Sequence, residues 1–108
     1  MIETRLHQVY AATARYLRDL DGLTAGDLAA PSVLPGWTRA HVVSHIALHA
    51  LGTSRALSGL AHGHPVPVYD SDERRDADIE AMAKSPVDRL RELSFDACGR
   101  FKDACEAI

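Results

Sequence analysis

The sequence predicts an all-α fold: an up-and-down helical bundle with about three main helices and one short helix. Apolar residues recur at steps of three and four along most of the chain, as they do on the buried face of a helix. Glycine and proline fall between these periodic segments, and no stretch of useful length alternates apolar and polar residues as a strand would. With 108 residues the chain has room for one small domain, which we place at residues 1–108.

The first predicted helix spans residues 2–21 and ends where Gly22 supplies a C-terminal glycine. After it, the capping pattern from Thr24 to Asp27 predicts one short helical turn. Residues 31–36 include two prolines and a glycine, so they break the chain before the next helix. The apolar face of the first helix comprises Leu6, Val9, Tyr10, Thr13, Tyr16, Leu17 and Leu20.

The second main helix is predicted to run from an N-cap at Thr38 to about Gly59. A threonine hydroxyl at this position accepts a hydrogen bond from a backbone amide of the first turn that otherwise has no partner. Small residues on the flank of this helix predict the close approach of another helix. The main apolar arc comprises Val42, Val43, Ile46, Ala47, Ala50 and Leu57, and the flank comprises His45, His49, Gly52 and Ala56.

A crossover loop and a shorter helix are predicted next. The loop spans residues 61–71, where two prolines forbid a continuing helix. Asp70 or Ser71 then caps a helix over residues 72–83, since both side chains can accept a hydrogen bond from a first-turn amide.

The last helix is predicted to begin at Pro86, with Ser85 as its cap and Asp88 in its first turn. Its apolar stripe is still continuing at Ile108, whereas helices usually close with a glycine, a polar terminus or a cap. The stripe therefore predicts either that the domain is truncated at its C-terminus or that a partner covers this edge. It comprises Val87, Leu90, Ser94, Ala97, Phe101, Ala104 and Ile108.

Charge and composition argue against nucleic-acid and membrane partners. The chain has 12 basic and 15 acidic residues, with the two signs interleaved, so no basic face is expected. No window reaches the roughly 18 consecutive apolar residues of a membrane span, and residues 1–20 lack an apolar signal core. We therefore expect a cytoplasmic protein. Cys98 and Cys105 lie seven residues apart on one helix, about 10 Å, which is too far for a mutual disulfide.

Three of the six histidines, His41, His45 and His49, follow one another at four-residue steps on the second helix. Side chains four apart on a helix are neighbours, so two or three imidazoles can converge on one ligand. One interpretation is that His45 binds a metal, with His49 as a second ligand or a polar neighbour of the site. The other is that both only form hydrogen bonds at a helix interface. His41 lies furthest from the apolar arc and is expected to be exposed.

Other catalytic patterns receive little support from the sequence. A thermolysin-like zinc motif requires glutamate directly after the first histidine of the pair, and Ile46 occupies that place. The chain contains no Cys-x-x-Cys pair and no serine on a nucleophile-elbow pattern. Trp37 follows a Pro-Gly turn, where it either plugs the turn against the first helix or stacks on a ligand. The acidic residues Asp76, Asp78 and Glu80 are expected on a solvated face, with metal ligation as the alternative.

The segment Leu34-Pro-Gly-Trp-Thr38, followed by His41-Val-Val-Ser-His45-Ile-Ala47, resembles the N-terminal domain of mycothiol-dependent maleylpyruvate isomerases, within the DinB-like metalloprotein superfamily. The resemblance extends more loosely over nearly the whole chain. It implies a four-helix bundle that holds a divalent metal, often zinc, through a histidine of the second helix, here His45, and through Glu and His of a later helix.

The later ligands of that family are spaced as Glu-x-x-x-His, a pattern that is absent between Ser85 and Ile108. The resemblance therefore implies that the bundle is incomplete in this chain and lacks its last helix. The family commonly has asparagine near the position of His49, which makes His49 either a local substitute ligand or a polar neighbour.

The resemblance also implies a function. The metal would bind and acidify the thiol of a cofactor such as mycothiol, and the thiolate would add to an electrophilic substrate, giving isomerisation or thiol transfer. Trp37 and Thr38 would shape the wall of the cofactor site. The rival interpretation is a non-catalytic helical module without metal, which forms a homodimer or binds a partner through an open apolar edge that includes Leu90, Phe101 and Ile108.

Overall fold

A computed structural model describes residues 2–108, and within that range it contains five helices and no strand. Three of them have 20 or more residues, which confirms the predicted all-α bundle with three main helices. The bounds are α1 Ile2–Asp21, α2 Ala25–Ala29, α3 Arg39–Ala61, α4 Asp72–Ala83 and α5 Val87–Glu106. Over the same range, none of these helices has both the length and the apolar character needed to cross a bilayer.

Three of the helices, α2, α3 and α4, begin at a residue whose side chain accepts a hydrogen bond from an amide of the first turn. Thr24 and Asp27 exchange hydrogen bonds in a capping box, and the bonds that Thr24 donates hold the pKa of the Asp27 carboxyl below its usual range. The Thr38 hydroxyl accepts a hydrogen bond from the backbone N–H of His41, as predicted for α3. Ser71 caps α4 in the same way through the N–H of Arg74, which settles the choice between the two predicted caps.

The predicted cap of α5 is wrong by one residue. Pro86 occupies the cap position, no side chain caps the helix, and the first helical residue is Val87. Ser85 belongs instead to the end of α4, where its backbone N–H donates to the carbonyl of Met82. The end of α3 also differs: the helix continues to Ala61, two residues past the predicted Gly59.

The core lies where α3 packs against α5, with α4 across α3 and α1 along α5. Leu90 is 1% exposed and belongs to this core, so the prediction that it lies on an uncovered stripe is wrong. The stripe is exposed only toward its end: Phe101 is half-buried and Ile108 is exposed. The buried cluster comprises Leu20, Leu28, Ala40, Val43 and Leu90. Burial of such side chains supplies most of the stability of a small domain.

The crossover loop packs closely on two glycines of α3, Gly52 and Gly59. A Cβ atom built on Gly52 would overlap the carbonyl oxygen of Val68, and one built on Gly59 would overlap that of His64. The prediction that another segment approaches α3 closely at Gly52 is therefore correct, but that segment is the crossover loop and not a helix. The two glycines let the loop backbone lie directly on the helix, which fixes the path of the residues that follow Val68.

The two cysteines are free, as predicted from their spacing, and both are half-buried. Burial raises the pKa of the Cys98 thiol, which disfavours the reactive thiolate form.

Tyr16 on α1 leads to a prediction about stability. Its hydroxyl is buried without a hydrogen-bond partner among residues 2–108, and burial, with a smaller effect of Cys98, raises its pKa to about 12. Replacing Tyr16 with phenylalanine removes an unsatisfied polar group and should stabilise the protein by about 0.5–1 kcal/mol at pH 7, measured by urea unfolding. A loss of stability would show that the hydroxyl has a partner.

The Tyr16→Phe variant should also change how the stability of the protein depends on pH. The unfolded tyrosine ionises near pH 10 and the folded one only near 12, so wild-type stability should fall as pH rises through this interval. Tyr16→Phe should show a smaller fall between pH 9 and pH 11 than the wild type does.

Candidate functional site

Five ring side chains form a continuous row along α3, which we call the ring row. In spatial order they are His41, Trp37, His45, His49 and Tyr69, and neighbouring ring centroids lie 5.7–6.1 Å apart. The three histidines come from successive turns of α3, as predicted from their spacing. The turn before α3 supplies Trp37 and the crossover loop supplies Tyr69. Three separate segments therefore meet on one face of the helix.

Trp37 is positioned by the turn that precedes α3. Its carbonyl accepts hydrogen bonds from both the backbone N–H and the hydroxyl of Ser32, at 3.0 and 2.8 Å, and Gly36 adopts a positive φ of 80° that favours glycine. The indole lies between two imidazoles, stacked at 16° on His41 and tilted at 51° to His45. The ring thus packs on the histidines of α3 and forms part of the candidate site.

His41 is half-buried, with 17% of its side chain exposed, so the prediction that it is a surface residue is wrong. Its Nδ1 accepts a hydrogen bond from the backbone N–H of Thr38 at 3.2 Å, which makes Nε2 the donor nitrogen of the ring. Nε2 lies 3.1 Å from a carboxylate oxygen of Glu80, and donates to it. Because α4 packs across α3, it brings Glu80 against a histidine that is 39 residues away in the chain.

His45 lies at the centre of the ring row. Its Nδ1 is buried and has no hydrogen-bond partner among residues 2–108. Burial, followed by the charges of His49 and Arg75, lowers its pKa below the ordinary value. A lowered pKa favours the neutral imidazole, which is the form that binds a metal. A buried ring nitrogen without a partner is also a group that a bound ligand would satisfy.

His49 is exposed and is held by the crossover loop. Its Nδ1 lies 3.1 Å from the hydroxyl of Tyr69, and the guanidinium of Arg75 lies 5.8 Å from the centre of the Tyr69 ring. Burial raises the pKa of Tyr69, and the charge of Arg75 opposes this effect. Tyr69 was not predicted as a site residue. The only signal for it in the sequence is an aromatic residue near the end of an otherwise polar and proline-rich loop.

The remaining candidates have other partners. Asp76 and Asp78 form ion pairs with Arg75 and Arg74, on a face that is largely exposed, as the sequence predicted. Thr38 uses its hydroxyl to cap α3 and to contact His41 Nδ1 at 2.8 Å, and it also lines a cavity of about 360 Å³. Trp37 is not among the residues that line this cavity. The two predicted wall residues therefore face different surroundings.

The metal-binding capacity of the described chain is limited. Within residues 2–108 no group of three or more His, Cys, Asp or Glu side chains is arranged to hold a metal ion. Zinc sites normally have three or four protein ligands. His45 and His49 are of a residue type that binds zinc, and their ring centroids lie 6.1 Å apart.

Comparison with known proteins identifies relatives that match nearly the whole chain. The model of the family described as mycothiol maleylpyruvate isomerase N-terminal domain matches residues 9–108. A crystal structure of the mycothiol-dependent maleylpyruvate isomerase matches with a TM-score of 0.93 and 28% identity, and that of a histidine-to-alanine mutant with 0.92 and 27%. Each match covers 98% of this chain, and the chain spans 44% of the length of each solved protein. No curated protein matches significantly.

Proposed function

Since the chain belongs to the mycothiol maleylpyruvate isomerase N-terminal domain family, we propose that it is the part of a thiol-dependent enzyme that contributes His45 to a divalent-metal site. The observation that carries this proposal is the half-buried imidazole of His45, which packs on Trp37 and has a buried nitrogen without a hydrogen-bond partner among residues 2–108. Zinc is the metal that we expect, because neutral imidazole is one of its usual ligands.

We assign His49 as the second ligand. Histidines that bind metals usually donate their other ring N–H to a neighbouring acceptor, which fixes the orientation of the ring. The hydroxyl of Tyr69 is placed to accept such a bond from His49 Nδ1, leaving Nε2 for the metal. The alternative is that His49 is a polar neighbour, as the asparagine common in the resembling family suggests. Further ligands would come from outside the described residues.

The proposed reaction depends on activation of a thiol by a metal bound at the ring row. A bound divalent metal would lower the pKa of a coordinated thiol, so that it reacts as a thiolate at neutral pH. The side chains of this chain have separate tasks: His45 holds the metal, Trp37 covers the imidazole and excludes water, and Thr38 fixes the start of α3. We propose a low-molecular-weight thiol of the mycothiol type as cofactor and an electrophile as substrate, with isomerisation or thiol transfer as the reaction.

A metal titration with a thiol readout tests this proposal. The chain, purified without chelator and freed of metal, is titrated with Co²⁺ as a spectroscopic substitute for zinc, and mycothiol is then added. We expect cobalt absorption bands to appear and a thiolate-to-cobalt charge-transfer band to follow the thiol. The proposal fails if Co²⁺ binds no more tightly to the wild type than to the His45→Ala variant.

A second candidate function is a metal-free helical module that self-associates. Phe95 of α5 is 72% exposed beside a cavity of about 270 Å³ lined by residues of α1 and α5, and Ile108 is 77% exposed. Large apolar side chains in this arrangement favour contact with a second copy or another chain. Light scattering that gives a dimer, together with no cobalt binding, would favour this candidate over the enzyme. The cytoplasmic location and the homodimer both stay predictions.

A further inference from the structure

The cavity of about 270 Å³ between α1 and α5 has the composition of a small-molecule pocket. All the residues that line it belong to these two helices, so the ring row is not part of it. Its walls are mostly apolar and include three aromatic side chains, Tyr10 of α1 and Phe95 and Phe101 of α5. Ligand pockets are typically concave and apolar, with a few polar groups that orient the ligand. A volume this small fits a molecule with one or two rings.

Gly99 helps to keep this cavity open. It lines the cavity from within α5, and a Cβ atom built on it meets no atom within 4 Å. A larger residue at this position can extend into the open space, and most residues form helices better than glycine does. A single substitution can therefore fill the cavity without displacing its neighbours.

Lys102 supplies the cationic group of the cavity. Its Nζ lies 5.2 Å from the centre of the Tyr10 ring, and both residues line the cavity. Among residues 2–108 this ammonium forms no ion pair, although Asp103 and Glu106 lie one and four residues further along α5. Thr13 also lines the cavity, but its hydroxyl already donates to a backbone carbonyl of α1. The charge available to a ligand is therefore positive.

We propose that the α1–α5 cavity binds a small aromatic molecule with one anionic substituent, whose ring packs among the aromatic walls while the anionic group contacts Lys102. Aromatic pairs gain energy beyond the burial of their area, so these walls favour a flat ring over an aliphatic chain. The site requires neither His45 nor a metal, and it stands independently of the proposed function. Its competing occupant is Phe95 of a second copy, as in the metal-free module.

The test uses naphthalene-2-sulfonate as the anionic probe and naphthalene-2-sulfonamide as its neutral control, with binding followed by NMR titration. For a ligand of this size we expect a dissociation constant of about 1 mM or below for the sulfonate, and a value about threefold or more higher for the sulfonamide. Gly99→Leu should weaken sulfonate binding about tenfold or more, because its side chain fills the cavity. Urea unfolding should show no loss of stability in this variant.

Two lysine variants test the role of charge. Lys102→Gln should weaken sulfonate binding about threefold or more and leave sulfonamide binding unchanged. Lys84→Gln is the matched control, because Lys84 is also exposed and lines a different cavity. It should change sulfonate binding less than about 1.5-fold. Equal effects of the two lysine variants would overturn the assignment of the anionic group.

Two other outcomes would overturn the inference: no sulfonate binding to the wild type, or equal binding to the wild type and Gly99→Leu. Phe95→Ala, at an exposed position, gives a second test that does not depend on the folding of the leucine variant, and it should weaken binding about threefold. Light scattering identifies the competing occupant. A dimer that Gly99→Leu dissociates, together with no sulfonate binding, would assign the cavity to self-association. Zinc binding through His45 should be the same in all these variants.

Discussion

Replacing His45 with alanine should weaken zinc binding to this chain by about 100-fold or more. The physical reason is that a ligand set with few protein side chains depends strongly on each of them, and even partners outside the ligand set typically contribute 10- to 100-fold to affinity. Isothermal titration of the metal-free protein with zinc measures the effect. His62→Ala is the matched control, because His62 is exposed at the other end of α3 and should leave zinc affinity unchanged.

His49→Ala in the same titration decides the role of His49. A loss of about tenfold or more would identify it as a ligand, and a change of less than about twofold would identify it as a polar neighbour. Equal zinc affinities of His45→Ala and His62→Ala would contradict the assignment of His45. Because the pKa of His45 is lowered, protonation of this ring should compete with zinc only at a lower pH than for an ordinary histidine, which is half protonated at about pH 6.5.

Replacing Gly52 with alanine should destabilise the protein by about 1–3 kcal/mol. Alanine is favoured over glycine within a helix by about 1 kcal/mol, but the new methyl group would overlap the backbone carbonyl of Val68, which cannot move without displacing the loop. The steric cost should exceed the gain in helix propensity. Urea unfolding at pH 7 gives the change in the free energy of unfolding.

Gly99→Ala is the control for Gly52→Ala. Gly99 also lies inside a helix, and a Cβ atom built there meets no atom within 4 Å, so this variant should be stabilised by about 0.5–1 kcal/mol. Equal effects of the two substitutions would mean that the loop backbone at Val68 can move away from residue 52 at little cost in free energy. Gly52→Ala should also displace Tyr69, seen as a loss of the hydrogen bond to His49 in NMR spectra of the imidazole.

Local signals in the sequence were sufficient for most of the fold. The caps at Thr38 and Ser71 are correct because a cap depends only on residues within one turn. Two predictions, for Leu90 and for Ser85, were wrong because they depend on residues distant in the sequence or on the end of a neighbouring helix. Leu90 is buried because it packs in one cluster with residues of α3, and the cap position of α5 falls on Pro86 while Ser85 still belongs to the end of α4.

The candidate site was also predictable only in part, because some of its contacts join residues that are distant in the sequence. The stripe of His41, His45 and His49 follows from helix geometry, and the structure brings all three together with Trp37. The partner of His41 is a glutamate 39 residues away, and no local pattern indicates it. Tyr69 and Arg75 join the row because the loop lies on Gly52 and then leads into α4. That path is a property of tertiary packing.

The packing of Trp37 against His45 gives the protein an intrinsic optical reporter. The chain has one tryptophan, so its emission at long excitation wavelength arises from a single site, and the centre of that indole lies 5.7 Å from the centre of the imidazole. Any event at this imidazole, whether protonation, metal binding or the arrival of a ligand, changes the surroundings of the fluorophore. Events at the ring row can therefore be followed in the unlabelled protein by a change in fluorescence.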